Sequence, residues 1–90
     1  MREFDIEEKL HKILKKLYKK DKLKYEMIWK KINEITAVSD VEHYKNLRAP
    51  LQDFKSVHID KSFVLTFKYD KTNDKILFYD FDHHDNIYKR

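Results

Sequence analysis

The apolar residues of this chain change their repeat partway along it, from a helical spacing up to Ile35 to a strand spacing from Asp53 onward, and that switch restricts the fold more than any other feature. In "DIEEKLHKILKKLYKKD", Leu10, Ile13, Leu14, Leu17 and Tyr18 recur at i, i+3, i+4, i+7 and i+8, the spacing of one helical face. After the polar "KKDK" break, Tyr25, Ile28, Ile32 and Ile35 in "LKYEMIWKKINEI" repeat the pattern, so two helices should form an antiparallel hairpin. Further on, "DFKSVHID", "SFVLTFKYD" and "KILFYDFD" are rich in aromatic and β-branched residues and alternate with period two, while "DKTND" supplies turn chemistry between the last two. The links between these strands are short, which forces antiparallel pairing and an α+β fold with the hairpin on one sheet face.

The ends of these elements are less sharply marked. Asp5 with Glu8 three residues later reads as a capping box, which starts the first helix near Ile6 and leaves "REF" as a tail or a short strand. The expected sheet has three strands, and a fourth only if that N-terminal stretch pairs. From Ala37 to Leu51 periodicity disappears around the single proline, Pro50, as in a long surface loop.

A chain of 90 residues should form one domain, spanning 1–90, with a thin core. Its 41% apolar and 14% aromatic content argues against disorder despite 40% charged residues. The absence of cysteine excludes a disulfide framework and every thiolate metal site. No apolar run approaches the roughly 20 residues that cross a bilayer, and "MREFDIEEKL" carries acids where a secretion signal would be basic and then apolar, so a cytoplasmic protein without a membrane partner is expected. A formal charge of +4 and a pI near 9.2 suit a polyanionic partner. The lysines from Lys12 to Lys24 read first as a solvated helix face.

The C-terminal "FYDFDHHDNIYKR" sets adjacent histidines among acids. Neighbouring strand residues point to opposite faces, so His83 and His84 share a metal only if the strand breaks there; no metal or cofactor is expected. His58 lies in a strand whose Val57 and Ile59 would face the helices, which turns Phe54, Ser56, His58 and Asp60 to the opposite face. His43, Lys45 and Arg48 precede that strand on the loop, so histidines and cations converge beside the sheet surface that the helices leave open. Such a surface suits metal-free RNA cleavage, in which a base takes a ribose 2′-OH proton, cations stabilise the phosphate and an acid protonates the leaving 5′-oxygen. Histidine serves both proton roles near neutral pH. The plain alternatives are a hydrogen-bonded sheet histidine at 58, a solvated lysine at 55 and polar residues at the exposed end of the last strand.

"HYKNLRAPLQDFKSVHIDKSFVLTFKYDKTNDKILFYDFDHHDNIYKR" resembles the C-terminal half of RelE-superfamily toxins, in which a histidine-initiated loop leads into three strands ending in a "GHRxxVY"-like motif. The N-terminal hairpin, including "LKKLYKK", resembles the helices of the same family, so the likeness covers almost the whole chain. By this resemblance Tyr88 matches the terminal aromatic, and His84 falls on a position that is itself histidine in the YafQ-like branch. His58 and His43 match that branch's strand and loop histidines. Ser62 stands where the branch often has an aspartate, so either Asp60 or another group substitutes, or His58 and His84 share the proton transfers without a carboxylate. The loop also lacks the family's glycine.

The resemblance implies the toxin of a type II toxin–antitoxin pair: a ribosome-dependent, metal-independent endoribonuclease that cleaves mRNA in the A site and is neutralised by a RelB-like antitoxin. In that frame His84 is the general acid, His58 the general base and His43 an auxiliary group. Tyr88 stacks on a base, and Arg48, Lys45, Lys55, Lys89 and Arg90 hold phosphates. Lysines 12 to 24 would contact ribosomal RNA. The superfamily also contains ParE-like gyrase poisons, and a non-catalytic RNA-binding module is the third alternative.

Overall fold

The computed structural model describes residues 1–88. Two helices, α1 (Glu8–Lys20) and α2 (Lys22–Ala37), are followed by strands β2 (Phe54–His58), β3 (Phe63–Asp70) and β4 (Lys75–His83), the order that the change of repeat predicts. Asp21 divides the helices, and its carboxylate accepts the Lys24 amide (3.1 Å) to cap α2. The Arg2 amide donates to Thr36 O (3.1 Å), so the end of α2 returns to the start of the chain and the hairpin is antiparallel.

The N-terminus departs from expectation. Residues Glu3–Ile6 form a strand, β1, so the sheet has four strands in the order β1-β4-β3-β2, and β1 runs parallel to β4. The capping box is therefore not made: Asp5 lies within β1 and pairs with Lys75 (2.9 Å), while Glu7 caps α1 without a side-chain hydrogen bond. What places β1 in the sheet is its own alternation. Phe4 and Ile6 point into the helix-side core, and the Phe4 ring meets Phe78 edge-on (5.6 Å).

That core joins Leu10 and Leu14 of α1 and Ile28, Ile32 and Ile35 of α2 to Leu65, Phe67, Ile76, Phe78 and Phe81 of the sheet. Val64, next to Leu65 and hence on the opposite face, belongs to a second buried group with Leu47 and Ile87. Two segments cover that face. One is the connection from α2 to β2, which holds a short 3-10 turn (Val41–His43) and is more than a surface loop. It lies along β2 through Leu47 N to Phe54 O (2.8 Å) and Ser56 N to Lys45 O (3.0 Å), so backbone pairing protects that edge. The other is a terminal helix, α3 (His84–Tyr88), which buries Ile87.

Candidate active site

Beside the second buried group lies an open cleft of ≈ 480 Å³, walled by the loop residues Lys45, Leu47 and Arg48, by Ser56 of β2 and by Ile87 and Tyr88 of α3. Two of the expected phosphate-binding cations, Lys45 and Arg48, thus meet the expected terminal aromatic, Tyr88. All three are exposed.

His84 reaches this wall through α3. Strand β4 ends at His83, the His84 amide donates to Ser62 O (2.7 Å), and the chain turns into the helix that carries Tyr88. The His84 and Tyr88 rings lie 6.4 Å apart, one helical turn from each other. Asp85 Oδ1 sits 3.0 Å from His84 Nδ1. The contact is at ion-pair distance on the Nδ1 side of the ring, and Nε2 is the nitrogen left for proton exchange. Asp85 is the carboxylate beside His84 that a search for a replacement at Ser62 misses, because it adjoins His84 in sequence instead of lying across the sheet.

His58 closes β2 and is exposed. It pairs with Val64 of β3, whose other neighbour is Asp82 of β4, so His58 and the end of β4 stand two strand spacings apart, roughly 10 Å. Alternation places it on the same face as Ser56 in the cleft wall. His58 and His84 therefore flank the start of β3 from opposite sides.

The other expected site residues divide by what they touch. His43 is exposed on the 3-10 turn, with its Nδ1–H donated to Asp40 O and its ring 4.1 Å from that of Tyr44; it is not among the residues lining the cleft. Tyr44 in turn packs on Phe67 of the helix-side core (5.6 Å), and burial raises its phenol pKa. Lys55 is 4% exposed, and its ammonium donates to Tyr44 O (3.0 Å) and Asn46 Oδ1 (2.9 Å), so it is directed to the loop backbone and away from an open phosphate path. Asp60 Oδ1 accepts the amides of Ser62 and Phe63 (2.8 Å each), and Lys24 Nζ lies 3.7 Å from its other oxygen. Those amides hold the Asp60 carboxyl below its usual pKa, which makes it a turn-forming anion at the β2–β3 link. Lys89 and Arg90 lie outside the described residues.

The argument against a shared metal also changes. It required a continuous strand through His83 and His84, whereas β4 stops at the first and α3 begins at the second. One ligand atom each from His83, His84 and Asp85 lie within 4.8 Å of one another. The geometry thus removes the reason for excluding coordination there.

No protein-family model matches the chain. It is 59% identical over 90 residues to "Putative toxin RelE4" of Methanocaldococcus jannaschii, covering all of this chain and 94% of that one. Its fold matches a metal-bound toxin from Helicobacter pylori with a TM-score of 0.76 at 20% identity, over 97% of this chain and 99% of the other. It also matches YafQ from E. coli strain BL21(DE3), with a TM-score of 0.66 at 14% identity over 98% and 99% of the two chains. These two likenesses bear on the fold, and the four strands with two covering helices agree with them. Identity of that degree along the full chain, carried on this fold, means that the chain belongs to the RelE family of toxins.

Proposed function

We propose that the protein is a metal-independent endoribonuclease that cleaves mRNA in the ribosomal A site and so arrests translation. The observation that carries this reading is the placement of His84, with Asp85 3.0 Å from its Nδ1, beside the cleft in which Tyr88 meets Lys45 and Arg48.

These positions support the following division of roles. His58 takes the proton of a ribose 2′-OH, and the freed oxygen attacks the adjacent phosphorus. Lys45 and Arg48 stabilise the charge that gathers on the phosphate oxygens. As the bond to the 5′-oxygen breaks, His84 Nε2–H gives that oxygen its proton, and Asp85 stabilises the ring while it carries two protons. A 2′,3′-cyclic phosphate and a free 5′-hydroxyl result, with all atoms and protons conserved. The backbone spacing of roughly 10 Å between β2 and β4 leaves room for a ribose and its phosphate between base and acid. Tyr88 stacks on a neighbouring base.

On this reading the chain is one RelE-type domain acting in the cytoplasm, and its partners are the ribosome, mRNA and an acidic RelB-like antitoxin. The groove of α1 and α2 lined by Lys12, Lys15 and Lys19 suits ribosomal RNA. The test is chemical. An mRNA with a single 2′-deoxyribose at the cut position should resist cleavage, and the all-ribose mRNA should yield a 2′,3′-cyclic phosphate. Cleavage of the deoxy substrate refutes 2′-OH attack, and inhibition of DNA supercoiling without RNA cleavage would instead make the protein a gyrase poison.

A further inference from the structure

His83 has no part in that mechanism, yet it sits beside two groups that do. The His83 and His84 rings face each other at 4.5 Å with an interplanar angle of 30°. His83 Nδ1 lies 3.6 Å from Asp85 Oδ2, and His84 Nδ1 lies 3.0 Å from Asp85 Oδ1. For an ion with bonds of roughly 2.0–2.1 Å, the edge between two tetrahedral ligands is about 3.3–3.4 Å, and each imidazole lies near that distance from its own oxygen of the carboxylate. Over the three residues the ligand atoms stay within 4.8 Å, so small side-chain rotations close the set. His83 Nδ1 also accepts the Asp85 amide (3.1 Å), which means that this nitrogen holds a lone pair and no hydrogen.

We propose that His83, His84 and Asp85 form a binding site for a borderline divalent transition ion, of which Zn²⁺ is the representative, and that occupancy of this site inhibits the toxin. Two imidazoles and one carboxylate are donors that suit Zn²⁺, leaving a fourth position for water. Ca²⁺ and Mg²⁺ prefer a cage of oxygens that this set does not offer. All three side chains are partly open to solvent, so an ion reaches them without unfolding the junction. The break between β4 and α3 creates the site: in a continued strand the two rings would point to opposite faces. Coordination through His84 Nδ1 puts the ion where the second proton of the imidazolium would be, so the remaining Nε2–H belongs to a neutral imidazole and is a far weaker acid toward the leaving oxygen. The inhibitory half of the proposal rests on the ribonuclease reading, and the binding half does not.

The experiment titrates Zn²⁺ into the metal-free chain against a chromogenic chelator, for the wild type and for His83→Ala, and then measures mRNA cleavage by both with and without Zn²⁺. The wild type should bind one equivalent saturably, and His83→Ala should bind roughly tenfold or more weakly. Zn²⁺ should suppress cleavage by the wild type at concentrations that leave His83→Ala active, while Mg²⁺ suppresses neither. Equal Zn²⁺ affinity in the two proteins, or no saturable binding by the wild type, overturns the site. Site-dependent binding without site-dependent inhibition overturns the inhibitory role. A protein that binds Zn²⁺ as described but cleaves no RNA refutes the ribonuclease reading and inhibition of that activity, and leaves the metal site standing.

Discussion

Replacing Ile87 with alanine separates the positioning of the site from the stability of the fold. Ile87 is 2% exposed and is the residue through which α3 is buried against Val64 and Leu47. The substitution removes three carbon atoms, worth about 2.4 kcal/mol at ~0.8 kcal/mol for each, and the void that remains adds to this within the usual range of about 2–5 kcal/mol. Because α3 is a five-residue helix after the last strand, it can detach while both its neighbours stay in place, so most of the loss should appear as local opening. About 2.4 kcal/mol corresponds to a shift of roughly 60-fold in the docking equilibrium of α3. Ile87→Ala should therefore cleave at least about tenfold more slowly at a temperature where its sheet remains folded, and the amides of residues 84–88 should exchange faster. Ile32→Ala, in the helix-side core, is the contrasting variant: its loss is global and lowers the melting temperature by about 4–8 °C per kcal/mol, yet cleavage per folded molecule should stay near wild type. Wild-type cleavage by Ile87→Ala, with its α3 amides exchanging rapidly, would refute the claim that α3 docking positions His84 and Tyr88.

Asp60→Ala should destabilise the protein by about 1 kcal/mol at neutral pH, a modest loss because the carboxylate is one-third exposed. Since the folded-state pKa is lowered, that contribution is fully present above the unfolded value near ~3.9 and fades as pH falls through the folded value, so urea denaturation of wild type and variant should converge in acid. Lys55→Met should cost about 1–3 kcal/mol, by leaving Tyr44 O and Asn46 Oδ1 without their donor, and should not change the salt dependence of ribosome association. Neutralising Lys12, Lys15 and Lys19 together should leave stability nearly unchanged and flatten the slope of log affinity against log salt by about 2.

The elements that sequence reasoning locates are those whose packing is periodic and local. The apolar stripe of α1 and the alternation of β3 specify their own buried faces, and both lie in the core as that patterning requires. The parts that escape it depend on distant partners. Four residues alternating in β1 carry too little signal to outweigh a plausible cap, and their pairing with β4 spans most of the chain. Lys55 resembles a solvated strand lysine until the loop returns to supply Tyr44 O and Asn46. Helix α3 is shorter than two turns, so no periodicity announces it, and in sequence the histidine pair looks like the end of the last strand. At the site, the convergence of Lys45 and Arg48 on the helix-free face was legible from strand alternation and chain order. The contact of Asp85 with His84 was not, because it exists only once the strand has ended. The Asx turn at Asp60 left a readable sign, an aspartate two residues before a serine at a strand link.

The most direct test of the account is primer extension on mRNA in a defined translation complex with an empty A site, after incubation in excess chelator with wild-type protein, His84→Ala or His58→Ala. A cut at a fixed position in the A-site codon that survives chelation and disappears in either variant is the predicted result. An intact mRNA with the wild type, or undiminished cutting by His84→Ala, would contradict the central claim that this histidine delivers the proton to the leaving oxygen.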